Sequence, residues 1–228
     1  MKKNIGIIGA GFVAQTLALG FGAAGYPVRI STRNVAKTLA DTTPNGYGAP
    51  GPGVFHTAHP EIPFVTFAEA AAWGEILINA ASGSGSLDAL GSAGTANLGS
   101  KILIDLANPL AFNPGMPPML SVSNTDSLGE QIQRAFPQLR VVKTLNTLNC
   151  AYMLNPGAIG QGDTTLFMSG NDASAKKEVH ELLVAFGWKD VIDLGDITTA
   201  RGTEELLPLW VRLMGAWGHP NFQFKIVR

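Results

Sequence analysis

What this 228-residue chain lacks narrows its chemistry before any motif is considered. It holds one cysteine, Cys150, so neither an internal disulfide nor a cysteine-based zinc cluster can form. We read it as a protein of a reducing cytoplasm with a buried, inert thiol. Only 14% of its residues are charged and the formal net charge is −1, which supplies no basic field for nucleic acid and no polybasic membrane patch. No uninterrupted apolar run reaches membrane-spanning length. Lys2-Lys3 ahead of an apolar stretch superficially resembles a secretory leader, but Asn4, Gln15 and several glycines interrupt it. The expected partner is therefore a small molecule rather than nucleic acid or membrane. No Ser-His-Asp ordering, Cys–His pair or set of metal ligands is evident, and no metal is expected. What is present is a 46% hydrophobic composition, sufficient for a sizeable core.

The start of the chain is the most informative stretch. An apolar strand from Ile5 runs into Gly9-x-Gly11-x-x-Ala14 and then into a helix. Gly9 permits the tight bend, Gly11 leaves backbone open to a pyrophosphate, and Ala14 lets the helix pack close to the strand. Gly9, Ala10, Gly11, Phe12 and Val13 are thus the expected phosphate contacts, with the helix N-terminus turned toward the anion. The second strand lacks the terminal Asp or Glu that accepts ribose hydroxyls in NAD and adenosyl sites. In its place stand Ser31, Thr32 and Arg33, with Lys37 a turn further on, a set suited to a 2′-phosphate. NADP(H) is the expected cofactor; the plainer alternative makes Arg33 and Lys37 a solvated helix start.

Apolar segments at 5–9, 28–31, 64–66, 76–80 and 102–106 read as strands, with helical patterns at 12–24 and 67–73 between them. That alternation predicts an α/β, Rossmann-type, doubly wound and mostly parallel sheet with a small C-terminal extension packed on it. Further strands are expected at 139–145, 165–169 and 191–194, and helices at 173–186 and from 198 to a stop at Gly218-His-Pro220. An extended segment at 222–227 closes the chain. We divide it into an NADP-binding part, 1–137, and a smaller part, 138–228, that completes an acceptor crevice. Apolar residues on more than one face of its last helix predict a homodimer contact. Residues 44–53 are so rich in Gly and Pro that a surface loop is expected, either a lid or a plain insertion. His56 and His59 read as a solvated loop pair, His180 as a helix-surface residue and His219 as part of a helix stop. Trp210 and Trp217 read as core or interface residues.

Residues that follow strands turn toward the switch-point crevice, which marks Ala81 and Ser82 after the fourth strand, Asn108 after the fifth and Asn146 after the sixth. Ser82, Asn108 and Asn146 are the acceptor-crevice candidates. The two amides can bond the nicotinamide carboxamide or an acceptor ring edge, or simply fix turns. Lys143 is the lysine nearest a proton-donor role.

Several stretches together resemble the NADP reductases that use the deazaflavin coenzyme F420. They are Gly6-Ile-Ile-Gly-Ala-Gly11, Ser31-Thr-Arg33, Asp105-Leu-Ala-Asn-Pro-Leu110, Val141-Val-Lys-Thr-Leu-Asn146, Ser169-Gly-Asn-Asp172, and the ending from Ala200-Arg201 through Leu206 to Met214. The resemblance spans nearly the whole chain. It implies that NADP(H) lies over the carboxyl edge of the sheet and exchanges a hydride with a flat acceptor, F420 or a flavin, stacked on the nicotinamide. Such a transfer needs proximity and orientation more than an acid or base, which agrees with the missing catalytic sets. One stretch departs: where the family shows an apolar residue, a proline and an aromatic, this chain has Ala81-Ser-Gly-Ser-Gly-Ser86, implying a roomier, more mobile wall. Two other functions remain compatible with the residues: reduction of a small carbonyl, imine or quinone, and non-catalytic sensing of NADP(H).

Overall fold

Short segments with no room for a polar face build the centre of the sheet. In the computed structural model, which describes residues 1–46, 48–113 and 115–228, the strands are β1 (Ile5–Ile8), β2 (Val28–Thr32), β3 (Phe64–Thr66), β4 (Ile76–Asn79), β5 (Ile102–Asp105), β6 (Leu110–Ala111), β7 (Met119–Leu120), β8 (Arg140–Thr144), β9 (Thr165–Ser169) and β10 (Asp190–Asp193). Eight of them form one sheet in the order β10-β9-β8-β5-β4-β1-β2-β3, and β6 and β7 form a separate two-stranded hairpin. All neighbours in the large sheet are parallel except β8 and β9. Every residue of β1, β4 and β5 is buried, as expected for strands covered on both faces.

Helices α1 (Phe12–Ala23), α2 (Val35–Leu39), α3 (Pro52–Ala58), α4 (Phe67–Trp73), α5 (Ser86–Ala93), α6 (Thr95–Leu98), α7 (Leu128–Ala135), α8 (Cys150–Met153), α9 (Ala173–Ala185) and α10 (Ala200–Trp217) complete the fold. Alternate strand residues feed two separate cores. Ile5, Ile7, Ile78, Ile104 and Val142 pack with Leu17 and Phe21 of α1 and Val179 and Leu183 of α9. On the other face Ile8, Leu77, Leu103 and Val141 pack with Ala70 of α4, Leu90 of α5 and Ile132 of α7. The expected doubly wound α/β sheet is therefore present. It runs without a break across residue 137, because β8 pairs with β5.

Two local expectations change. The Gly/Pro stretch ends at Gly51, since Pro52 takes the first position of α3, where its missing N–H costs nothing and its φ is already helical. His56 thus stands on a helix and not in a loop. Tyr47 lies outside the described residues. The segment 81–86 is also no loose wall: Gly83–Gly85 form a 3-10 turn, and a Cβ at Gly83 would come within 1.9 Å of the Asn108 carbonyl oxygen. Helix α7 went unread in the sequence although Ser127 caps it by accepting from Glu130 N while its own hydroxyl donates to the Glu130 carboxylate.

Across the carboxyl ends of four strands runs a polar row. Asn79, Asp105, Lys143 and Ser169 are successive cross-strand partners. Lys143 has no exposed side-chain surface, and its Nζ lies 2.9 Å from Asp105 Oδ2 and 2.8 Å from Glu204 Oε1 of α10. It also donates to the Ala107 carbonyl. Asp105 Oδ1 accepts from Asn79 Nδ2 and from Ala107 N, and Asn79 Nδ2 reaches Ser86 Oγ. Glu204 in turn accepts from Leu128 N and Gly129 N at the start of α7. Burial opposes the lysine charge, but the two carboxylates outweigh it and hold the pKa above lysine's ordinary value. Beside this cluster Arg201 makes a bidentate contact with Glu130, at 2.8 and 2.6 Å.

Lys143→Met would leave two buried carboxylates facing each other, so we expect about 3–5 kcal/mol of lost stability, measured by urea denaturation. The Arg201 guanidinium holds the Glu130 carboxyl below its usual range, against the opposing effect of burial. A depressed folded-state pKa adds stability that is complete above the ordinary Glu pKa and is lost as pH falls through the depressed value. Arg201→Ala should therefore flatten the acid limb of the urea midpoint plotted against pH.

Candidate functional site

The turn between β1 and α1 admits only glycine at its first position. Gly9 has φ 122°, and a Cβ there would lie 2.6 Å from the Ala80 carbonyl oxygen. Gly11 differs: it is the N-cap of α1, and a Cβ on it would meet no atom within 4 Å. No side chain caps α1 and no acidic residue occupies its first turn, so its leading N–H groups are left for an external acceptor. This geometry fits a pyrophosphate.

From that turn a cleft of about 700 Å³ extends over the end of β2 to α2 and the segment 41–51. Ala10, Gly11 and Phe12 of the turn line it, as do Thr32, Arg33, Asn34 and Lys37. Asn34 caps α2 by accepting from Lys37 N, and the Thr32 hydroxyl bonds that of Thr38 at 2.7 Å. These contacts hold α2 so that the exposed Arg33 and Lys37 stand on the cleft wall. Asp41 also lines the cleft, with its Oδ1 accepting from Thr43 N. An arginine fork and a lysine beside hydroxyls suit a 2′-phosphate.

A second opening of about 670 Å³ adjoins the first, and its chemistry is opposite. Its walls come from the β6–β7 hairpin with the loop between its strands (Leu110, Phe112, Met116 and Pro118), from the turn into α8, and from α10 with the residues after it. Among the described residues no Lys, Arg, Asp or Glu lines it. The α10 wall consists of Leu207, Trp210, Val211 and Met214, and Trp210 is 8% exposed with Phe222 stacked on it at 5.0 Å. Cys150 also faces this crevice; burial raises its pKa, with a hydrogen bond to the Thr16 hydroxyl opposing, so the thiol stays protonated.

Several residues singled out from the sequence take other positions. Ser31 is buried, and its hydroxyl donates to the Ile7 carbonyl at 2.7 Å, tying β2 to β1 rather than facing the cleft. Val13 and Ala81 are half-buried and pack against the two cores. Ser82, Asn108 and Asn146 are not among the residues lining the apolar crevice. Asn108 donates to the Asn146 carbonyl, while Asn146 uses both amide hydrogens on Asn108 Oδ1 and the Thr203 carbonyl. The two amides therefore join the turns after β5 and β8 to α10, the turn-fixing role, and the Lys143 ammonium is enclosed by its carboxylates. His56 is packed edge-on against Phe64, and its Nδ1 is buried without a partner among the described residues. His59 ends α3, 3.4 Å from Glu61. His180 is exposed on α9, and His219 lines the crevice rim, where its Nδ1 accepts from Asn221 N. Trp217 is 54% exposed. The hairpin and the residues before α8 were missed as lining because strands of two residues carry no periodic signal; the only trace was a cluster of Phe112, Met116 and Met119 in a proline-rich stretch.

Residues 4–109 match the family described as NADP oxidoreductase, coenzyme F420-dependent. A crystal structure from Arthrobacter sp. FB24, provisionally assigned as an F420-dependent NADP-reductase, is 50% identical over the whole of both chains with a TM-score of 0.93. The metalloreductase STEAP3 of Rattus norvegicus is 28% identical over 218 residues, covering 96% of this chain; the chain spans only 38% of that protein's length. An imine reductase from Pseudomonas sp., 18% identical with a TM-score of 0.60, covers 96% of this chain and 64% of its own and shares the fold. Among the described residues no helix is long and apolar enough to cross a membrane. With a glycine turn, an adjoining cleft lined by Arg33 and Lys37 and this full-length similarity, the chain belongs to the family of coenzyme F420-dependent NADP oxidoreductases, whose cofactor is NADP(H).

Proposed function

We propose that this NADP-dependent oxidoreductase passes a hydride between the nicotinamide and a flat acceptor ring, a deazaflavin such as coenzyme F420 or a flavin, taken up in the apolar crevice. The observation that carries this reading is the adjacency of a phosphate-binding cleft to an apolar crevice of similar size. Bound NADP(H) supplies the hydride. The chain's residues supply placement: the β1–α1 turn receives the pyrophosphate, Arg33 and Lys37 the 2′-phosphate, and the α10 wall a dry surface for a ring. Residues 138–228 act as the acceptor-side part, since the turn into α8 and all of α10 come from them. Hydride transfer to a deazaflavin or flavin ring leaves the reduced anion, which takes its proton from solvent at the open crevice, so no acid of the protein is required, in keeping with a lysine locked between carboxylates and a thiol held protonated. Reduction of a small carbonyl or imine would need a proton donor, and His219 at the rim is the side chain placed to serve.

Arg33→Ala should weaken NADPH binding by about 1–3 kcal/mol and leave NADH nearly unchanged, as titrations of both nucleotides will show. Equal loss for both would remove the 2′-phosphate assignment. Mixing the protein with NADPH and oxidised F420, and separately with free flavin, should bleach one acceptor's visible absorbance. NADPH binding without bleaching of either would move the acceptor to the small-substrate class.

A further inference from the structure

A lone exposed aromatic is ordinary on a protein surface, but Phe12 stands where two clefts meet. It opens α1 directly after Gly11 and is 39% exposed. Among the described residues it is the one side chain that lines both the cationic cleft and the apolar crevice. Its backbone is held in place. The Phe12 carbonyl accepts the Thr16 hydroxyl at 3.0 Å, and Cys150 Sγ lies 3.8 Å from that same hydroxyl. The first turn of α1 is thereby fixed against the start of α8, which forms part of the crevice wall.

The two openings differ in what they can hold. Arg33 and Lys37 belong to one, and among the described residues no Lys, Arg, Asp or Glu belongs to the other. A ligand with phosphates in the first and a flat ring in the second must cross Phe12. A phenyl ring offers a broad apolar face with few rotatable bonds, a suitable platform for a planar group and poor company for a phosphate.

Resting on the NADP(H) assignment above, we infer that Phe12 is a positioning residue for the nicotinamide half of the cofactor. Its ring supports the nicotinamide riboside where the cofactor turns from the phosphate cleft into the apolar crevice. The adenosine half, anchored at Arg33 and Lys37, does not depend on it. Phe12 therefore sets the placement of the ring that exchanges hydride without taking part in the chemistry.

The test compares two ligands on the full chain by calorimetric titration: NADPH, and adenosine 2′,5′-bisphosphate, which has the phosphates of the adenosine half and no nicotinamide. Phe12→Ala should weaken NADPH about tenfold while changing the bisphosphate by less than about twofold. Phe12→Tyr, which keeps the ring, should restore NADPH binding. Thermal melts should match wild type, because the side chain is exposed and alanine favours a helix. Equal weakening of both ligands, or no weakening of NADPH, would overturn the inference while the cofactor reading stands. Failure of the wild-type protein to bind either ligand would overturn the cofactor reading itself, and the inference with it.

Discussion

Lys143 is the interaction on which the arrangement of the site depends. A lysine with no exposed side-chain surface is tolerable only because Asp105 and Glu204 sit within 2.9 Å of its ammonium group. Each partner belongs to a different element, so the charge requirement becomes a geometric one. Asp105 fixes the end of β5 and, through Asn79 and Ser86, the start of α5. Glu204 fixes α10 over the same end of the sheet and takes two N–H groups from α7. The cluster carries two carboxylates to one ammonium, and the positive end of α7 helps offset the surplus. Removing Lys143 would leave two carboxylates facing each other in the interior, and removing either carboxylate would free the element it ties down, which is why the group behaves as a unit.

That unit holds α10, which walls the apolar crevice, over the end of the sheet. The cationic cleft belongs to the front of the chain, to the β1–α1 turn and α2. The apolar crevice belongs mostly to later residues, and its α10 wall begins one turn beyond Glu204, at Leu207. The reciprocal amides of Asn108 and Asn146 make the same link beside it, with Asn146 also bonding the Thr203 carbonyl. These bonds hold the α10 wall against the turns that follow β5 and β8. The family resemblance becomes intelligible on these terms. Asp105 and Asn108, Lys143 and Asn146, and Arg201 lie in the stretches that carry it, and they converge on one buried corner.

Much of this was legible in the sequence and some was not. The glycine turn was readable because Gly9, Gly11 and Ala14 are local requirements of one bend, and β1, β4 and β5 because strands buried on both faces are apolar up to the Asn79 and Asp105 that end β4 and β5. Arg33 and Lys37 stood out because they follow a strand whose usual acid is missing, and both line the cleft beside the glycine turn. Ser31 was misjudged for the opposite reason: a hydroxyl one residue before the cleft turns into the sheet, and strand alternation decides which way it faces. Asn108 and Asn146 looked like ligand contacts because both follow strands, yet each found the other across 38 residues of chain.

The sequence alone determined the fold class and the NADP(H) cofactor, because both follow from residues close together in the chain and from backbone geometry that few residue types can adopt. Tertiary structure alone decided that Lys143 is a buried ion and not a proton donor, that the two asparagines tie turns together, and that hairpin, α8 and α10 meet as one apolar crevice. Those outcomes depend on which distant groups satisfy a charge, an amide or an apolar face once water is excluded, and no spacing along the chain encodes the partner.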